Sequence, residues 1–330
     1  MKIAIDAMGG DNAPEAIVKG TIMAAEKLSD ITLYLVGNKD LINENIQLSK
    51  FPNIKIKHAD EKIEMNESPA HALRKKKNSS IVIGSKLVKD NKVDAFISAG
   101  NTGAVMASGI FNIGRIKGIS RPAIATVFPS AKGQTMVLDS GANVDSKAEN
   151  LLYYAIMGQI HYQNIFKKNN PGIGILSVGE EKEKGNKLSK NTFKLLENDK
   201  RIKKFIGNIE GRDIFNGNCD IVICDGFTGN IVLKTTEGVA NYIFSLLKEM
   251  FTSNLITRLS ALVMKPYLSK MKEKLDYRQY GGAPLLGING VVIISHGSSD
   301  ATAIYNAIKV ARKSIINNVI YKIKEEINKE

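Results

Sequence analysis

Residues suited to anion chemistry stand at the ends of apolar runs throughout this 330-residue chain. KIAID runs into AMGGDNAP, VDAFISAG into NTGA, MVLD into SGANVD, ILSV into GEEKEKGN and IVICD into GFTGN. Any one of these junctions reads as ordinary turn chemistry, because Asn and Asp cap helices and tolerate the left-handed backbone region. Five together, each carrying some of Asp, Asn, Thr, Lys and Gly, favour a shared site. Gly-flanked helix starts such as NTGA and GFTGN aim free N–H groups at an anion, and phosphate is the natural occupant. DAMGGDNAP is over-equipped for a plain turn. Its glycine pair lets backbone approach an anion, Asp11 or Asn12 would cap the next helix, and Pro14 would sit in that helix's first turn.

Other chemistries lack their signatures. GIGILSVG has Ser177 where a dinucleotide fingerprint needs its third glycine, and GEEKEKGNK lacks the ending of a phosphate-binding P-loop. No GxSxG elbow is present. His58, His71, His161 and His296 show no ligand or triad spacing, and His296 in SHGSSD reads first as a turn or cap. Cys219 and Cys224 would face opposite sides of a strand, so they neither pair nor share a metal, and they suit a reducing cytoplasm. The expectation is no metal and no cofactor. Without an evident Ser or Cys nucleophile, the site suits a reaction in which a bound oxyanion attacks for itself.

The elements that must position these residues alternate. Strand candidates are KIAIDA, ITLYLVG, IKIKHA, VDAFISAG, PAIATVF, QTMVLDSG, GIGILSV, DIVICDG and VVIISHG, with helical patterns near 13–28, 69–90, 102–117, 147–166, 187–199, 229–251 and 299–325. Several strands are apolar throughout, which predicts burial on both faces. The class is α/β, with a largely parallel sheet and helices on both sides. Ligands of such sheets bind outside the carboxyl ends of the strands. Length predicts two lobes, with VVIISHG and the last helix returning to the first. The formal charge of 46 − 33 = +13 attracts acidic partners. Nucleic acid is not expected, because zinc-finger spacing, aromatic RNP-like strands and Arg-rich arms are absent. MKIAID reaches Asp6 before a signal-peptide core develops, and no run approaches the ~18 apolar residues of a membrane span.

IAIDAMGGDNAP, ISAGNTGA, DSGANVD, VGEEKEKGN, ICDGFTGN and YGGAPLLGINGVVIISHGSSD resemble the PlsX family of phosphate acyltransferases over nearly the whole chain. Members often carry an aliphatic residue at Ser140, and the stretch after Gly179 differs more. The resemblance implies transfer of an acyl group from acyl carrier protein to inorganic phosphate. The product would feed a membrane glycerol-3-phosphate acyltransferase in bacterial phospholipid synthesis. It also implies an α/β/α sandwich of the isocitrate/isopropylmalate dehydrogenase-like type, a homodimer, and a cytoplasmic protein peripherally associated with the membrane. The expected lobes are 1–130 with 288–330, and 131–287, with the active site in the cleft between them.

Phosphate is its own nucleophile against a thioester, so the protein need only hold the two together and stabilise the oxyanion. Asn101, Thr102 and Asn230, with helix-start amides, are expected to hold phosphate and oxyanion; Lys184 would neutralise charge or meet the carrier arm. Asp6, Asp11, Asp139 and Asp225 would orient donors or take a proton. The full expectation has Asn230, Lys184, Asp225 and Asp139 as catalytic residues. Asp6, Gly9, Gly10, Asp11, Asn12, Asn101, Thr102, Gly103, Asn143, Gly229, Gly281 and Gly282 are expected to bind substrate and phosphate. RKKK at 74–77 reads either as a wet helix face or as a dock for acidic carrier protein. Residues 245–278 combine apolar side chains with 7 basic and 3 acidic ones, and predict a helical hairpin at the dimer whose tip, with Leu255, Leu259, Leu262 and Val263, touches lipid. Three rivals stand beside this reading: a metal- and nicotinamide-dependent hydroxyacid dehydrogenase, a phosphotransacetylase using coenzyme A, and a non-catalytic scaffold. The first wants an Arg cluster, and no arginine lies in the five junctions. Scaffolding alone would not demand five polar strand ends.

Overall fold

Apolar runs a few residues long, separated by amphipathic stretches, assemble here into one sheet. The computed structural model describes residues 1–275 and 281–329, without the side chains of Leu255, Lys270 and 272–275. In chain order the strands are β1 (Lys2–Asp6), β2 (Thr32–Gly37), β3 (Ile54–His58), β4 (Ala95–Ser98), β5 (Ala123–Ser130), β6 (Gly133–Leu138), β7 (Ile173–Leu176), β8 (Phe205–Ile209), β9 (Ile221–Ile223), β10 (Ala283–Leu286) and β11 (Val291–Ile294). Across the sheet they lie in the order β3-β2-β1-β4-β11-β10-β5-β6-β9-β7-β8. This is a mixed α/β fold.

Period-two alternation explains the apolar runs. Ile3 and Ile5 pack into one cluster with the helices Glu15–Lys27 and Ala301–Ile316, while Ala4 between them faces a second cluster. Ala95 and Ile97 against Phe96, and Val291 and Ile293 against Val292 and Ile294, divide in the same way. In the other half, Met136 and Leu138 meet the helix Ala148–Phe166, whereas Val137 faces a smaller cluster with Phe128 and Val222. Burial on both faces is therefore as expected.

The positions of polar strand ends follow from strand direction. β1, β2, β3, β4 and β11 are mutually parallel, as are β6, β9, β7 and β8. The antiparallel steps β11–β10, β10–β5 and β5–β6 make the two sets run in opposite directions. Register brings their carboxyl ends together. Ala283 and Pro284 of β10 pair with Ile294 and Ile293 at the end of β11, while Leu285 and Leu286 pair with Ile124 and Ala123 at the start of β5. Leu138, which closes β6, sits opposite Ala125. The ends of β11 and β6 are thus only a few residues apart along the four-residue β10.

Several boundaries differ from expectation. The pattern over 69–90 forms two helices, Pro69–Lys75 and Ser80–Lys89. That over 102–117 gives Thr102–Ser108, then a wider turn ending at Gly114 with φ 90°. The C-terminal pattern divides into Ala301–Ile316 and Val319–Ile327 at Asn318, which is left-handed. β8 and β10 have no counterpart among the strand candidates. β8 is an edge strand containing Gly207 at φ 95°, and β10 contains Pro284, which argues against an interior strand. Cys219 and Cys224 are free and buried, but both join one cluster, because β9 spans only Ile221–Ile223 and strict alternation does not extend to its flanks.

Within the second half, His161 is fully buried and its Nδ1 has no hydrogen-bond partner. Burial lowers its pKa to about 4, against the ordinary 6.5. Because the folded value lies below the unfolded one, its contribution to stability is complete above pH 6.5. It is lost as pH falls toward 4, to a total of about 3 kcal/mol. Chemical denaturation of wild type and His161→Gln across that window is expected to show wild type losing this increment relative to the variant. Carboxyl groups titrate in both proteins, so the difference isolates the histidine.

Candidate active site

A cavity of about 360 Å³ opens where the strand ends converge. Thr102 and Gly103 reach it from the helix after β4, Ser140 and Gly141 from the loop after β6, and Asn230 from the helix Gly226–Thr252 after β9. Ser295, His296 and Ser299 follow β11, and Gly282 precedes β10. Three of the five expected junctions therefore line one cavity, with SHGSSD as a fourth contributor. Met106, Ile124, Val127, Leu233 and Ile294 complete an apolar wall.

The other two junctions lie elsewhere. DAMGGDNAP supports the cavity from behind. The Asp6 carboxylate accepts from Ser98 Oγ at 2.7 Å and from the Met8 amide at 3.1 Å, and burial raises its pKa despite these bonds. A side chain at Gly9 would start 2.5 Å from that carboxylate and 2.6 Å from Gly100 N, so the loop is packed directly against the residues preceding Asn101. Gly10 has φ 101°. The Asp11 amide donates to Gly297 O at 2.8 Å, and Asn12 Nδ2 donates to the carbonyls of Ser298 and Ser299. Neither Asp11 nor Asn12 caps the next helix; Pro14 occupies its N-cap position without a side-chain cap. Asp6, Gly9, Gly10, Asp11 and Asn12 hold the segments that carry Thr102 and Ser299.

The Asn101 side chain is also engaged within the protein. Its Oδ1 accepts from the Ala104 amide at 3.0 Å, and its Nδ2 reaches the carbonyls of Glu64, Met65 and Glu67. As the first N–H groups of a helix, those of Thr102 and Gly103 have no intrahelical acceptor. Gly281 packs against the Asn306 carbonyl with φ 88°, next to Gly282 in the cavity wall.

On the opposite wall Asp139 is fully buried. Its carboxylate accepts from the amides of Ile124, Gly141, Ala142 and Asn143 and from Asn143 Nδ2, at 2.8–3.2 Å. Burial raises its pKa, with these bonds opposing. Asn143 Nδ2 also reaches Pro122 O and Tyr154 Oη. Both residues shape the loop that presents Ser140 and Gly141. Ser140 bonds to Thr126 and the Ile124 carbonyl. Asp225 caps the helix Gly226–Thr252 through the Thr228 amide and hydroxyl, both at 2.8 Å. A Cβ on Gly229 would lie 1.9 Å from the Asp139 carbonyl oxygen, so this helix begins in contact with the loop.

Lys184 is exposed in the loop after β7 and is not among the cavity-lining residues. Its neighbour Gly185 lines a separate cavity of about 220 Å³ with Ser177, Asn186, Asp225 and Thr228. Among the described residues, the lysine on the main cavity is Lys234, whose Nζ lies 2.9 Å from Glu237 Oε2. Sequence reasoning missed both. The signal was present: 230, 233, 234 and 237 share one helical face. Among the described residues no group of His, Cys, Asp and Glu could hold a metal ion. His296 Nδ1 faces the Ser298 amide and hydroxyl in a local turn.

A sequence model of the family described as fatty acid synthesis protein matches residues 1–322. The chain belongs to this family, the PlsX phosphate acyltransferases. It is 60% identical over 332 residues to a phosphate acyltransferase of Halothermothrix orenii, covering 100% of this chain and 99% of that one. A Desulfitobacterium hafniense phosphate acyltransferase is 50% identical, covering 99% and 98%. Among solved structures, a Streptococcus pyogenes phosphotransacetylase superposes with a TM-score of 0.63 at 16% identity over 96% of this chain and 94% of its own. A Staphylococcus aureus EutD phosphotransacetylase gives 0.58 at 15% identity, over 95% and 94%. At such identities these structures share the fold of this PlsX-family chain.

Proposed function

We propose that this PlsX-family protein transfers an acyl group from the thioester of acyl carrier protein to inorganic phosphate, releasing acyl phosphate and carrier thiol. One observation carries the reading. In a single cavity, donors from Thr102, Gly103, Asn230, Ser295 and Ser299 meet an apolar wall of Met106, Ile124, Val127 and Leu233. Phosphate and the thioester carbonyl occupy the polar side, and the acyl chain follows the apolar one. Asn230 with the helix-start amides stabilises the tetrahedral oxyanion. Asp6, Asn101, Asp139, Asn143 and Asp225 keep those donors in place. Holding nucleophile and thioester together supplies much of the acceleration.

The carrier is taken as the acyl donor from the PlsX resemblance, and an acidic protein suits a chain of net charge +13. Arg74, Lys75 and Lys77 are exposed for this, whereas Lys76 is engaged by Glu67 and the Lys62 carbonyl. Initial rates with palmitoyl-carrier protein, palmitoyl-coenzyme A and acetyl-coenzyme A test the substrate. The carrier form is expected to be fastest and to slow with salt; a preference for acetyl-coenzyme A favours the phosphotransacetylase alternative.

We further assign the two-lobe division 1–130 with 288–330 and 131–287, of the isocitrate dehydrogenase-like type, with the cavity between the lobes, in a cytoplasmic homodimer. The helices Gly226–Thr252 and Leu255–Leu275 form the hairpin. Among the described residues, no helix is long and apolar enough to cross a membrane. Leu259, Leu262 and Val263 are exposed, as are Ile256 and Met264; the Leu255 side chain and residues 276–278 lie outside the described residues. An exposed apolar tip beside Arg258 and Lys265 suits the interface of an anionic bilayer, where it would hand acyl phosphate to a membrane glycerol-3-phosphate acyltransferase. Replacing Leu259 and Val263 together by Asp is expected to weaken co-sedimentation with anionic vesicles by about tenfold or more. Unchanged binding rejects the tip.

A further inference from the structure

The helix Gly226–Thr252 turns four residues toward the cavity: Asn230, Leu233, Lys234 and Glu237. Among the described lining residues, Lys234 is the one lysine or arginine. Its ammonium lies 2.9 Å from Glu237 Oε2, and its side chain stays 55% exposed, free to swing on a flexible stem. Glu237 is mostly buried, and its second oxygen, Oε1, is shielded from solvent without a hydrogen-bond partner. Leaving a carboxylate oxygen buried and unpaired is expensive, so its persistence calls for an explanation. The hydroxyls of Ser295 and Ser299 in the same lining are likewise buried and unpaired. A phosphate dianion entering such a site needs a cation, and its proton needs an acceptor.

We propose that Lys234 is the phosphate-binding cation of this active site and that Glu237 is its acid–base group. The inference rests on the acyl-transfer reading above. An oxygen of hydrogen phosphate attacks the thioester carbonyl carbon, forming the C–O bond and placing negative charge on the carbonyl oxygen. Collapse breaks the C–S bond, and sulfur takes the electron pair. The proton carried by hydrogen phosphate passes to the Glu237 carboxylate and from there to sulfur. Acyl phosphate and free thiol leave, and the carboxylate is restored. Lys234 exchanges its contact with Glu237 for the phosphate oxygens, which frees the carboxylate as charge builds on the phosphate.

Two measurements test this together. Calorimetric titration with inorganic phosphate alone is expected to show binding to wild type, retained in part by Lys234→Arg and weakened about tenfold or more in Lys234→Ala, as removal of a charge-assisted contact requires. Steady-state turnover of palmitoyl-carrier protein is expected to show a raised KM for phosphate in Lys234→Ala. In Glu237→Gln that KM should hold while kcat falls about 10²-fold or more and the acidic limb of its pH profile disappears. Equal phosphate affinity of wild type and Lys234→Ala, or a wild-type pH profile in Glu237→Gln, overturns the assignment. Wild type that binds phosphate through Lys234 yet forms no acyl phosphate would sustain the binding half, overturn the acid–base half and count against the acyl-transfer reading itself.

Discussion

Gly229→Ala is expected to abolish turnover and to lower stability by about 3 kcal/mol, the upper end of overpacking in a filled interior. The added methyl would stand 1.9 Å from the Asp139 carbonyl oxygen, with Asp139 C at 2.9 Å and Cys224 Sγ at 3.1 Å. The nearest obstacle is backbone, so no side-chain rotation relieves it. Either the helix start carrying Asn230 retreats or the Asp139 loop does. That loop is tied to its own carboxylate by the amides of Gly141, Ala142 and Asn143, so its displacement takes the Ser140–Gly141 wall with it. At Gly238, in the same helix, an added methyl would meet nothing within 4 Å. Gly238→Ala should therefore gain up to about 1 kcal/mol from helix propensity and keep full activity. Denaturant melts and turnover of the two variants check the contrast.

Asn230→Ala is expected to fold like wild type and to lose about 10²–10³ in kcat, as removal of one oxyanion donor does. Its side chain is exposed, and its Oδ1 lies against Gly141 across the cavity, so truncation removes a donor without opening a core. Asn230→Ala with undiminished turnover and normal melting would remove this residue from the oxyanion site.

Much of this arrangement was legible because strand burial and strand-end chemistry are local. Unbroken apolar runs such as IAI and VVII marked strands buried on both faces, and glycines beside Asn or Asp marked their ends. What local sequence did not show was direction. The reversal through β10 and β5 decides which ends meet, and Pro284 concealed β10. It places the ends of β4, β11, β6 and β9 on the cavity, while those of β1 and β7 fall one strand to either side. Asp6, Asp139 and Asp225 were expected to orient donors or to take a proton. Their oxygens are engaged by backbone amides and hydroxyls of the loops they shape. Lys184 stood out by lying in a polar junction, whereas Lys234 lies within the helical pattern 229–251, beyond the GFTGN junction. Only the depth of that helix start against Asp139 shows which way its side chains turn.

Direct transfer to phosphate, with no acylated protein, is the central claim. Mixing stoichiometric protein with radiolabelled palmitoyl-carrier protein, with and without phosphate, tests it most directly. Label is expected to appear as acyl phosphate only when phosphate is present, one carrier thiol being freed for each acyl group moved, and never on the protein. Label bound covalently to the protein in the absence of phosphate, or no acyl phosphate in its presence, would contradict the claim.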